Sequence, residues 1–116
     1  IVILALGAND GLRGFSVDEI RRNLELMIGV CRKHNARVLF AGMKALPNYG
    51  EDYMREFETV YSELAEKYDL DFLPFLLEGV AGEREHTQPD GLHPVASGYR
   101  IVTELVWQRL KPMLKK

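Results

Sequence analysis

Ile1-Val2-Ile3-Leu4-Ala5-Leu6, closed by Gly7, opens the chain and decides its fold class. A strand wetted on one face alternates apolar and polar residues. This run does not, so it predicts a strand buried on both faces, as in a parallel sheet. Working outward, Ser16 and Glu19 form an S-x-x-E capping box, with Phe15 and Ile20 at the staple positions of a first long helix. Val17, Ile20, Leu24, Met27, Ile28 and Cys31 share one face of that helix. It should end near His34-Asn35, where Asn tolerates a left-handed conformation. Val38-Leu39-Phe40-Ala41 reads as a second buried strand, and Leu46-Pro47-Asn48-Tyr49-Gly50 as turn chemistry. A second helix follows from about Glu51 to Tyr68. Tyr53, Met54, Phe57, Val60, Tyr61, Leu64 and Ala65 point inward, and Glu56, Glu58, Glu63 and Glu66 form a solvated face.

Phe72-Leu73, followed by Pro74-Phe75, predicts a short third strand at a sheet edge, because proline cannot donate to a central ladder. Leu76 to Ala81 suits one helical turn, and Gly82 to Leu92 is a polar loop. Pro94 is expected at the first position of a last helix running to about Met113. Its buried stripe would be Val95, Tyr99, Val102, Leu105, Val106, Leu110 and Met113, with Lys111, Lys115 and Lys116 complementing its dipole. Alternating β and α elements imply an α/β fold: a doubly wound parallel sheet with helices around it.

Composition excludes several classes of function. The 116 residues are 47% hydrophobic and 28% charged, ordinary for a globular domain. One cysteine leaves no internal disulfide and no Cys-rich zinc site. A net charge of -2 supplies no basic footprint for nucleic acid or anionic lipid. The apolar runs are far shorter than a membrane span requires. Three parallel strands are few for such a sheet, and the first is the most apolar yet has no neighbour on one side. The chain is therefore expected to be the C-terminal portion of a larger α/β domain, its Ile1–Leu6 edge pairing with a preceding segment or another chain.

Ligands of open α/β sheets bind at the carboxyl ends of the strands. Asn9-Asp10 follows the first strand directly, and Asp90-Gly91-Leu92-His93 lies in the long loop before the last helix. Asp90 can bond Nδ1–H of His93, fixing the tautomer and leaving Nε2 as a general base. On spacing alone the same residues also read as an Asp-Gly turn with an incidental histidine cap. Asn9 has the chemistry of an oxyanion donor, a neutral amide at a strand end, although Asn-Asp beside glycine is also plain turn chemistry. A nucleophile is the gap. Ser16 caps a helix, Ser62 lies mid-helix, and Ser97 lies in the first turn of the last helix, none on a strand-to-helix elbow. Cys31 reads as a buried small hydrophobe. A metal set of His86, Asp90 and His93 is a weak pattern, so no metal and no cofactor is expected.

Four stretches together resemble the SGNH (GDSL) hydrolases, specifically the bacterial acyl-CoA thioesterase, lysophospholipase and arylesterase group. They are Leu4 to Gly14, Ala41-Gly42-Met43 to Pro47-Asn48-Tyr49-Gly50, Leu73-Pro74-Phe75, and Asp90-Gly91-Leu92-His93-Pro94. The resemblance implies a three-layer α/β/α fold with a flavodoxin-like parallel sheet of five strands, of which this chain carries three. It implies a Ser-His-Asp triad acting on small acyl esters or thioesters, with Asp90 and His93 as acid and base and Asn9 as oxyanion donor. Gly7, Asp10, Gly11 and Leu12 would lie along the substrate, the Gly11-Leu12-Arg13-Gly14 loop would move over a bound acyl chain, and Pro47, Asn48 and Tyr49 would lie near the acyl groove. The Gly-Asp-Ser-Leu block that bears the nucleophile does not occur in these residues, nor does the block whose glycine N–H is the second oxyanion donor. The resemblance places both before Ile1, so the chain alone should be inactive. It further implies a periplasmic or secreted enzyme, with a cytoplasmic one still open. The alternative from another class is a non-catalytic α/β interaction module that pairs through its first strand.

Overall fold

Val2–Leu4 forms β1, Val38–Ala41 β2 and Asp71–Leu73 β3, in a three-stranded sheet of order β1-β2-β3. All pairings are parallel, with Val2 opposite Val38, Leu4 opposite Phe40, and Ala41 opposite Leu73. The computed structural model describes residues 1–114; the dipole expectation for Lys115 and Lys116 lies outside the described residues. The chain divides into two compact units, residues 1–74 and residues 75 onward.

In the first unit, β2 is buried along its whole length, as its unbroken apolar run predicts. β1 departs from expectation. It is shorter than Ile1–Leu6, and only Leu4 is buried, while Ile1, Ile3 and Leu6 are exposed. The cause is topological: β1 is an edge of the described sheet, bonded on one side only. The stretch 7–14, expected as loop, contains a short helix α1 over Ala8–Leu12. Gly7 makes the turn at φ 102, a left-handed conformation that side chains rarely adopt.

Helix α2, Val17–Lys33, begins where its capping box says it should, with Ser16 Oγ accepting from Glu19 N at 3.2 Å. Asn35 follows its end at φ 57, the left-handed residue expected there. Ile20, Leu24 and Ile28 are buried, whereas Cys31 is only half-buried. Pro47–Tyr49 is a 3₁₀ turn, and Gly50 leads into α3, Glu51–Lys67. Phe57, Val60, Tyr61, Leu64 and Ala65 fill its inner face. Tyr61 meets Phe40 of β2 at a ring-centroid distance of 5.3 Å, so α3 is seated on the sheet through aromatic contact. Between α2 and α3, Glu25 accepts from both Lys67 and Tyr68.

In the second unit, Arg84–His86 is a 3₁₀ turn and α4 spans Ala96–Leu110. Leu76–Ala81 forms hydrogen-bonded turns rather than a helix. Pro94 does not open α4. It is buried and bridges Thr87 in antiparallel pairing, with Val95 extended at the helix cap. The predicted stripe shifts accordingly: Gly98 is the buried residue of α4, and Tyr99, one position round the helix, turns outward. The helix tightens to 3₁₀ over Lys111–Leu114, because Pro112 has no N–H to continue the α ladder. No helix among the described residues is long and apolar enough to cross a membrane.

Candidate active site

The segment carrying Asn9 is held from beneath by aromatic side chains. Tyr49, Tyr53, Phe57 and Tyr61 recur at four-residue spacing, so they share one face of the 3₁₀ turn and α3. Their rings follow one another at centroid distances of 5.5, 6.3 and 5.5 Å. Three of the four end in a hydroxyl, and each hydroxyl donates to a carbonyl of the segment. Tyr61 donates to Leu6 O at 2.8 Å, Tyr49 to Leu12 O at 3.4 Å and Tyr53 to Phe15 O at 2.6 Å. Burial pushes the Tyr61 phenol well above its usual range, with the nearby Asp10 charge adding to this, so it stays a donor at any working pH.

Glycines let the segment lie down on this row. A Cβ at Gly7 would stand 2.3 Å from Tyr61 Oη, one at Gly11 2.6 Å from the Phe57 ring, and one at Gly14 2.6 Å from the Tyr49 ring. Asn9 is exposed, in the first turn of α1 rather than on an open loop. Gly11 is buried, and Gly7, Asp10 and Leu12 are half-buried. Asn48 and Tyr49 are exposed, and Tyr49 touches the Asn9 segment directly. Gly7, Gly11, Leu12 and Tyr49 therefore meet in the aromatic contacts that support Asn9. In the sequence, Tyr53, Phe57 and Tyr61 read only as inward-facing residues of α3. Their i, i+4 spacing opposite glycines at 7, 11 and 14 was the signal available.

In the second unit, Asp90 and His93 are brought together. Gln88 to Gly91 makes a tight turn, Gly91 N donating to Gln88 O at 2.9 Å with Gly91 at φ 73. The two flanks pair behind it, Gln88 N donating to His93 O at 2.7 Å. Asp90 Oδ1 accepts from Leu92 N at 2.9 Å and His93 N at 3.0 Å, while Oδ2 accepts from His93 Nδ1. These donors hold the Asp90 carboxyl down to about 2, the Leu92 amide first among them, then the His93 ring and the His93 amide. A carboxylate engaged on Nδ1 orients an imidazole and leaves Nε2 able to take a proton. Both side chains are solvent-accessible.

The three serines are occupied elsewhere. Ser16 Oγ caps α2, Ser62 Oγ donates to Thr59 O at 3.1 Å, and Ser97 Oγ donates to Glu85 O at 3.1 Å. Since Ser97 has one proton, the 2.9 Å contact with His86 Nδ1 is one it accepts. Among the described residues no three His, Cys, Asp or Glu side chains are placed to hold a metal ion, so His86, Asp90 and His93 do not form the metal set weighed above.

Known proteins are similar to this chain along nearly its whole length. Esterase TesA of Pseudomonas aeruginosa is 40% identical over 114 residues, 98% of this chain and 57% of the relative. The thioesterase 1/protease 1/lysophospholipase L1 of Escherichia coli K12 is 31% identical over 97% of this chain and 54% of its own length. The crystal structure of the psychrotrophic esterase EstA from Pseudoalteromonas sp., inhibited by monoethylphosphonate, matches with a TM-score of 0.90 at 29% identity, covering 99% of this chain and 63% of that one. The chain thus spans just over half the length of the curated relatives it matches. Residues 1–101 match the GDSL-like lipase/acylhydrolase family, and the chain belongs to that family.

Proposed function

We propose that these residues form the acid–base and oxyanion-binding part of an ester or thioester hydrolase that works by a Ser-His-Asp triad. The observation that carries this reading is the Asp90–His93 pair. One carboxylate oxygen is fixed by two backbone amides and the other engages Nδ1, so Nε2 is the ring's free proton acceptor. The nucleophilic serine of this reading lies in a segment outside these 116 residues, which would complete a single domain by pairing along the exposed edge of β1. The occupied hydroxyls of Ser16, Ser62 and Ser97 favour that assignment.

The chemistry runs in two halves. The serine hydroxyl attacks the acyl carbonyl while His93 Nε2 takes its proton, and Asp90 stabilises the imidazolium. The carbonyl oxygen gains negative charge, and the Asn9 side-chain amide donates to it. His93 then protonates the leaving alcohol or thiol, and the sequence repeats with water to release the acid. Gly7, Asp10, Gly11, Leu12, Pro47, Asn48 and Tyr49 would border the bound acyl ester or thioester. Inhibition of EstA by monoethylphosphonate suits this reading, since a phosphonate is tetrahedral like the intermediate.

The test is an aryl-ester and acyl-thioester assay of the 116-residue chain, with and without an added N-terminal segment bearing a Gly-Asp-Ser-Leu block. Hydrolysis should need both pieces and vanish with His93→Ala. Hydrolysis by the lone chain that survives His93→Ala would overturn the mechanism.

A further inference from the structure

The loop that carries Asp90 and His93 is closed at its base by residues with no part in the chemistry proposed above. His86 ends the 3₁₀ turn before the loop, and Ser97 lies in the first turn of α4 after it. His86 Nδ1 is 2.9 Å from Ser97 Oγ, and Ser97 Oγ donates to Glu85 O at 3.1 Å. The serine proton is thereby committed to the carbonyl, so the proton of the His86 contact sits on Nδ1. The remaining ring nitrogen, Nε2, lies 3.3 Å from Glu85 Oε1. The His86 backbone does related work. Its carbonyl accepts from Val95 N at 3.0 Å, and a Cβ at Gly98 would stand 2.2 Å from that same oxygen, so only glycine lets α4 come so close. Between these two ends, Thr87 is buried, bridges Pro94 and donates through Oγ1 to Glu83 O at 2.8 Å.

Resting on the hydrolase reading of Asp90 and His93, we infer that His86 is a positioning residue: through Ser97 it clamps the two ends of the 87–94 loop so that the Asp90 carboxylate stays on the His93 ring. The side chain is only 23% exposed and its Nδ1 has a defined partner in Ser97 Oγ, unlike a histidine that merely occupies surface. The loop itself is short and polar, and apart from Thr87 and Pro94 its side chains are not buried, so packing contributes little to its shape. Its geometry depends on hydrogen bonds, and among those the His86–Ser97 link joins the two flanking elements side chain to side chain, beside the Ser97–Glu85 and Val95–His86 bonds to backbone.

The experiment is side-chain and amide NMR on the isotope-labelled 116-residue chain, which needs neither ester nor nucleophile. In the wild-type chain the His93 Nδ1 proton should appear far downfield, and the Leu92 and His93 amides should exchange slowly because Asp90 Oδ1 accepts from both. His86→Ala should speed exchange of those two amides about tenfold and broaden the Nδ1 signal, as expected for losing one hydrogen bond at the loop base. Ser97→Ala, which also loses the bond to Glu85 O, should do so at least as much. His86→Asn, whose side-chain N–H reaches near the Nδ1 position, should restore protection. Protection of Phe40, Tyr61 and Leu64 amides in every variant serves as the check that the first unit remains folded. If His86→Ala leaves the Leu92, His93 and Nδ1 signals unchanged, or if His86→Asn is as exposed as His86→Ala, the clamp is refuted. These readouts are separate from the hydrolysis assay, so failure of the clamp and failure of the hydrolase reading are distinguishable. In the assembled hydrolase the clamp predicts a lower kcat with unchanged KM for His86→Ala.

Discussion

Asp90 serves two masters with its two oxygens: Oδ1 holds backbone amides and Oδ2 holds an imidazole. Its carboxyl is held at about 2, below the ordinary carboxylate value near 3.8, because the folded loop bonds the ionised form. A depressed folded value means that the contact is fully present above about pH 4 and is lost as pH falls towards 2. The Leu92 and His93 amide shifts should therefore titrate together with a midpoint near 2; a midpoint near 4 would mean the bonds are not made. Asp90→Asn separates the two duties, since an amide oxygen still accepts from the amides but no carboxylate faces Nδ1. In the assembled hydrolase this change should lower kcat about 10⁴-fold with little loss of loop order, judged by kinetics beside amide protection. Asn9→Ala should lower it about 100- to 1000-fold with KM nearly unchanged, because the amide acts on charge that appears only in the transition state.

Helix α2 shows how local chemistry fixes an element. Removing the Ser16 hydroxyl leaves an amide of the first turn without its acceptor, and Ser16→Ala should cost about 1 kcal/mol in denaturant unfolding. Such signals are written in adjacent residues, which is why α2, α3 and β2 were legible nearly to the residue: the Ser16–Glu19 box, the left-handed Asn35 and the Val38–Ala41 run each act within a few positions. The loop reading of 7–14 failed for the opposite reason. Glycines at 7, 11 and 14 read as loop punctuation, but here they are contact points for Tyr61, Phe57 and Tyr49, some 35 to 54 positions away in sequence. Pro94 failed similarly, because its bridge to Thr87 and the Val95–His86 hydrogen bond delay the helix by two residues. The Asp90–His93 pair was readable since its partners are three apart, whereas the aromatic support of Asn9 was not, being a product of tertiary packing. Tyr61→Phe tests that support. It removes the donor to Leu6 O while keeping the ring, and should cost about 1 kcal/mol in denaturant unfolding, with faster amide exchange across 7–14.

On the scale of the whole molecule, the sheet ends in β1, where Ile3 and the flanking Ile1 and Leu6 are 45%, 54% and 51% exposed. Apolar side chains beside unpaired backbone groups make an adhesive edge. The 116-residue chain should self-associate with rising concentration in light scattering, and Ile3→Lys should suppress this; a monomer at high concentration would count against the edge as a pairing surface. Adding the proposed nucleophile-bearing segment should compete with self-association, since both would use β1. The glycine–aromatic contacts have a consequence of their own. Each bare backbone hollow is a mould of one particular ring, so sequence drift there must move in matched steps: Gly11→Ala alone collides with Phe57, Phe57→Leu alone leaves a void, and the two together should be milder than the sum of their separate losses.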